Sequence, residues 1–151
     1  MKPLLTLTLL LASFTLWAQT PYPGTIVLPT QFKYPTLVKR LNKAIGKNGM
    51  GIVARASATL GAKSLGVTIP GNMVVMAFNP KYAIRMLKAS VAAGYEAPIR
   101  FYITEQSDGT ATLTYRTPSS LFSPYRNADL DKMARELDSI FEKIARQAAG
   151  Q

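Results

Sequence analysis

Residues 99–117 read "IRFYITEQSDGTATLTYRT". Apolar and polar residues alternate on both sides of Asp108-Gly109, the period of a strand whose two faces meet different surroundings. Asp-Gly suits a tight hairpin turn, because glycine takes the positive φ that such turns demand. The stretch therefore predicts two antiparallel strands. Ile99, Phe101 and Ile103 share one face, and Leu113 and Tyr115 match them across the hairpin. The opposite face carries Arg100, Tyr102, Thr104, Thr112, Thr114 and Arg116.

Working upstream, "NMVVMAF" (72–78) reads as a strand apolar on both faces, with Met73, Val75 and Ala77 on one side and Val74, Met76 and Phe78 on the other. Such a strand is usually central and covered twice, and a partner subunit is one candidate for the second cover. Asn79-Pro80 follows. Asparagine is a favoured helix N-cap and proline fits the first helical position, so a helix is expected from there to Gly94. Free N–H groups at that helix start, beside Lys81, are an alternative anion site.

"TIVLPTQF" (25–32) is β-branched, and Pro29 makes it irregular or an edge strand. "YPTLVKRLNKAIGKNG" (34–49) repeats Leu37, Leu41 and Ile45 at helical spacing, with Pro35 in the first turn and Gly46 and Gly49 as stops. "MGIVARASATLG" (50–61) reads as a strand that fades at Gly61, and "PSSLFSPYR" (118–126) as a loop. A last helix starts near Asn127, with Leu130, Met133, Leu137, Ile140 and Ile144 as its buried stripe. Asp131 with Arg135 and Glu142 with Arg146 are surface pairs one turn apart. The order β-α-β-β-α-β-β-α predicts a single α+β domain over 25–148, an antiparallel sheet of about five strands packed against helices.

The chain's 151 residues fit one domain, and a composition of 48% apolar and 17% charged residues is globular. Residues 1–18, "MKPLLTLTLLLASFTLWA", have the charged start, apolar run and small final residue of a signal peptide. Residues 19–24 form a Pro-rich lead-in. An uncleaved anchor is the rival reading, although the apolar run falls short of the ~20 residues of a spanning helix. Export to the periplasm or outside the cell is therefore expected, with no transmembrane span after cleavage.

Charge is distributed unevenly. Residues 19–95 hold ten Lys and Arg and no acid, whereas 96–151 hold seven against eight. That asymmetry points to an anionic partner such as an envelope component, an acidic protein or a small anion, or to simple solubility. Lys39, Lys43 and Lys47 stand four apart on the first helix, and Lys81, Arg85 and Lys88 share a face of the second. The polar sheet face adds Arg100, Tyr102 and Arg116, with Arg55 joining if its strand is a neighbour. Arginines beside Tyr and Thr suit an anion cradle, a wet dimer contact or a solvated face. Nucleic acid is disfavoured, since the basic residues lack aromatic interleaving.

The chain has neither histidine nor cysteine. Zinc sites, thiol chemistry and Ser-His-Asp catalysis are thereby set aside, and no Gly-rich phosphate loop is present. Met73 and Met76 point to opposite faces and do not chelate together. No metal, cofactor or catalytic residue is expected, and a binding or interaction role outweighs an enzymatic one. The alternative is a small-ligand pocket between the sheet and the C-terminal helix.

"AKSLGVTIPGNMVVMAFNP" (62–80), a helix, then "APIRFYITEQSDGTATLTYRTP" (97–118) and a closing amphipathic helix resemble the family called domain of unknown function 302. The resemblance covers roughly 25–148. It implies a small α+β domain, often paired as a homodimer, with no established activity. Many members carry an Asp-His pair after the second strand. Here Ser57 and Ala58 stand at those positions, so no role of that pair carries over.

Overall fold

A computed structural model describes residues 22–151. The signal-peptide reading of 1–18, and the start of the lead-in, lie outside the described residues. Around the expected hairpin, β4 (Ile99–Glu105) and β5 (Thr110–Arg116) pair antiparallel, with Tyr102 opposite Thr114 and Ile103 opposite Leu113. Four residues, not two, make the turn. Gly109 at φ 76° donates to the Gln106 carbonyl, and the Asp108 carboxylate accepts from the Thr110 N–H at 2.8 Å and its hydroxyl at 2.6 Å.

The sheet has five antiparallel strands in the order β1-β5-β4-β3-β2, with β1 at Thr25–Lys33, β2 at Gly51–Ala56 and β3 at Asn72–Phe78. The α+β class is as the sequence predicts. β1 is an edge strand, and its register breaks after Pro29, where the buried Thr30 hydroxyl donates to the Ala111 carbonyl at 2.7 Å. Proline has no N–H for the ladder, which confines it to such an edge.

Helices cover one face. α1 (Tyr34–Lys47) buries Leu37, Leu41, Ala44 and Ile45, and α5 (Ala128–Ala149) buries Leu130, Met133, Leu137, Phe141 and Ile144. Phe141 stacks on Phe101 of β4 with ring centroids 5.0 Å apart. The expected stripe placed Ile140 there, but Ile140 is only half-buried and Phe141 carries the contact. Arg40 ties the two helices together. It donates to the Gln147 and Ala148 carbonyls at 2.8 and 2.7 Å and lies 4.2 Å over the Phe32 ring, satisfying acceptors that a helix end leaves open.

α3 (Pro80–Ala89) begins as expected. Asn79 accepts from the Lys81 N–H at 2.9 Å and donates to the Gly49 carbonyl at 2.8 Å, pinning the end of α1 beside the start of α3. It ends earlier than the composition implies. Ser90 turns extended at ψ 116° and a 3-10 turn over Ala92–Glu96 follows, burying Ala93. Two further helices were unexpected. The strand read through 50–61 stops at Ala56, because the Ser57 hydroxyl accepts from the Leu60 N–H and opens α2 (Ala58–Ser64). The loop at 118–126 holds α4 (Pro118–Phe122) and a 3-10 turn. Thr117 caps α4, and Leu121 and Phe122 are buried. No described helix is long and apolar enough to cross a membrane.

Candidate functional site

The second face of the sheet has no helix on it. One row crosses all five strands as Val27, Thr114, Tyr102, Val74 and Ala56. In the next row Thr25 pairs with Arg116, and Met76 pairs with both Arg100 and Ala54. Continuing the β4–β5 register from Phe101 and Tyr115 sets Arg100 directly across from Arg116. Like charges across a strand pair are destabilising, and Glu96 is the one acid that lines the same recess as the two arginines. Among the described residues, neither arginine forms a salt bridge. Arg116 reaches the Ser120 carbonyl only at 3.4 Å, and its Nε is buried with no hydrogen-bond partner.

Both arginines line a recess of about 50 Å³ with Glu96, Ile99 and Leu121. Glu96 accepts from the Tyr125 hydroxyl at 3.1 Å, which engages one of its oxygens. Tyr102 lies one row away, with its hydroxyl bonded to the Asn72 amide on the side remote from Arg100. Its ring flanks the pair, and its hydroxyl oxygen accepts from that amide, which leaves its own proton to donate.

Arg55 does not join this group. Its strand lies at the far edge beside β3, and a bulge between Ile52 and Ala54 puts it opposite Val75, on the helix-covered side. Without the extra residue, Arg55 would face Val74 on the open side. A bulge leaves no mark in sequence alternation, which explains the misplacement.

The basic helices separate into distinct surfaces. Lys43 and Lys47, with Arg40 and Gln147, line a cleft of about 340 Å³ between α1 and the end of α5, and Lys39 stands outside it. Arg40 is committed to the α5 carbonyls. The second helical group is partly spent as well: Arg85 makes a two-pronged pair with Glu136 at 2.6 and 2.9 Å, whereas Lys81 and Lys88 remain exposed. Arg85 holds the Glu136 carboxyl below its usual range, and the Thr110 hydroxyl and N–H do the same for Asp108. Glu142 and Arg146 pair at 2.9 Å, but Asp131 and Arg135 do not. No cluster of three metal-ligating acids occurs among the described residues.

Between β3, α3 and α5 lies an apolar cavity lined by Met50, Met86, Met133 and Leu137 among others, with about 30 Å³ of free space. Sites for small organic ligands run to about 300 Å³ or more, so this one holds little beyond water. Ser57 and Ala58 sit at the start of α2. Ser57 is occupied as its cap and as a donor to the Asn72 carbonyl at 3.1 Å, and Ala58 is exposed.

Five antiparallel strands, with helices on one face and the Arg100–Arg116 pair on the other, define a small two-layer α+β domain. The sequence of the family described as Domain of unknown function DUF302 matches residues 26–148, and the chain belongs to that family. Its fold is similar to the crystal structure of an uncharacterized conserved DUF302 protein from Bacillus stearothermophilus. The TM-score is 0.75 at 16% identity, covering 84% of this chain and 99% of the other. No curated protein matches the chain.

Proposed function

We propose that the protein is an exported, non-enzymatic binding domain, paired as a homodimer, that holds the anionic group of an envelope component or ligand on its open sheet. The Arg100–Arg116 pair carries this reading. Two cations face each other across the strands, and one keeps a buried N–H without an acceptor. A carboxylate or phosphate bridging them would relieve the repulsion and accept from that N–H. The absence of His and Cys supports a binding role over a catalytic one. The signal-like pattern of residues 1–18 supports export.

Isothermal titration with inorganic phosphate and a short dicarboxylate tests the site. Binding is expected in the native protein and lost in Arg100→Leu and Arg116→Leu, with Lys43→Ala and Lys47→Ala unaffected. Binding that survives both arginine changes, or none in the native protein, overturns the assignment. Loss in the lysine variants alone moves the site to the α1–α5 cleft.

A further inference from the structure

The outward half of α3 carries two stripes side by side. Pro80, Ile84 and Leu87 recur at i, i+4 and i+7, and Lys81, Arg85 and Lys88 repeat that spacing one position on. The face turned to the core is a third set, with Met86 buried and Tyr82 and Ala89 packed against the core beside it. The apolar stripe does not stop with the helix. Ser90 turns extended, and the 3-10 turn over Ala92–Glu96 packs against Leu87, since a Cβ on Gly94 would stand 3.2 Å from Leu87 Cδ2. The Gly94 N–H donates to the Val91 carbonyl at 3.0 Å, so Val91 and Tyr95 stand at either end of that contact. They extend the stripe into one surface with Ile84 and Leu87. Ile84 is 56% exposed, Leu87 47%, Val91 79% and Tyr95 90%. Scattered exposed apolar side chains are ordinary, but a joined group at this exposure marks a contact.

We infer that this surface docks the protein on an anionic lipid bilayer, its apolar side chains entering the headgroup boundary and its lysines meeting lipid phosphates. Charge selects that occupant. From Pro80 to Glu96 the chain holds three cations and one acid, Glu96, whose carboxylate accepts from the Tyr125 hydroxyl at 3.1 Å. The recess alongside adds Lys132 to Arg85 and Lys88, against Asp129, and Arg85 is paired with Glu136. Among the described residues, Lys81, Lys88 and Lys132 form no salt bridge, and all three are exposed. Geometry selects the same occupant. The backbone of a helix is hydrogen-bonded within itself, so hydrocarbon covers it without leaving polar groups unmet. Lysine stems lie along apolar surface while their ammonium groups reach the headgroups, and tyrosine suits the same boundary. Adjacent apolar and basic stripes are the form of a helix that lies in a membrane interface and does not cross it. The surface belongs to the helix layer, whereas the Arg100–Arg116 pair lies on the open face of the sheet. Docking therefore needs neither that site nor a dimer.

Flotation of residues 19–151, which contain every described element, tests the docking. The vesicles are phosphatidylcholine alone and an equal mixture of phosphatidylcholine and phosphatidylglycerol. The native chain is expected to float with the mixed vesicles, to ignore phosphatidylcholine alone and to release as salt rises. Ile84→Gln with Val91→Gln, and separately Lys81→Gln with Lys88→Gln, should each weaken binding about tenfold or more. Lys39→Gln with Lys63→Gln removes the same charge elsewhere and should leave binding within about twofold. All six side chains are exposed, and circular dichroism checks that each variant folds. A native chain that does not float overturns the proposal. Equal loss in the two lysine pairs, with none in the Ile84–Val91 pair, is charge attraction without a docking face and overturns it too. Loss confined to Arg100→Leu moves the lipid to the open sheet, which overturns this surface and supports the proposed site. An Ile84–Val91 change that leaves flotation intact but breaks association in sedimentation velocity gives the face to a second copy and overturns the docking.

Discussion

The two faces of one sheet are built from the same strands, yet they hold opposite kinds of chemistry. On the helix side Ile99, Phe101, Ile103, Leu113 and Tyr115 are all buried, and the rings of Phe101, Tyr115 and Phe141 form one cluster. On the other side Arg100, Tyr102, Thr114 and Arg116 occupy the alternate positions of the same two strands, with two cations opposed. The first face is arranged for stability. The second keeps an electrostatic cost in place, as surfaces that bind something commonly do. What one face gains in packing lets the other keep a charge pair that the fold itself does not need.

Breaking the packed face should have the largest effect. Phe101→Ala removes the ring that stacks on Phe141, and a buried Phe→Ala change costs about 3–5 kcal/mol. Urea unfolding should register it as a lower midpoint with an unchanged slope. A cost under about 1 kcal/mol would mean that the helix-side face is not the source of stability. Arg116→Leu on the open face should leave the midpoint within about 0.5 kcal/mol, or raise it slightly, since it removes a repulsion. A large loss there would make the arginine structural and erase the contrast.

The smallest effect belongs to Glu136, on the rim of the packed layer. Arg85 lowers its folded pKa, so the stability it adds is present above the ordinary carboxyl value of 4.5 and disappears as pH falls through the lowered one. Acid unfolding followed from pH 6 to 2 should be slightly shallower in Glu136→Gln than in the native chain, most clearly at low salt. Equal slopes would mean that this exposed pair adds nothing, as many surface pairs do.

Much of the packed layer was legible in the chain because its signals are local. Alternation around Asp108-Gly109 gave both strands, and Asn79-Pro80 gave the α3 start down to the capping oxygen. The helices at 58–64 and 118–122 carry equally local caps, Ser57 and Thr117-Pro118, and these are signs that a closer reading could use. Phe141 over Ile140 is a different matter. It depends on the angle at which α5 crosses the sheet, which no spacing encodes. The open face was half legible. Alternation put Arg100 and Arg116 together, whereas the Arg55 position turned on one inserted residue. The commitment of Arg40 to a helix end more than a hundred residues away is written nowhere in its own neighbourhood.

That clasp has a bearing on how the chain is made. Arg40 is made more than a hundred residues before the carbonyls it holds, those of Gln147 and Ala148. Contacts of such long range form late, and until they do the first helix has no latch and the sheet no lid. The α1–α5 side of the domain therefore closes only after the end of α5 has been made and can reach α1.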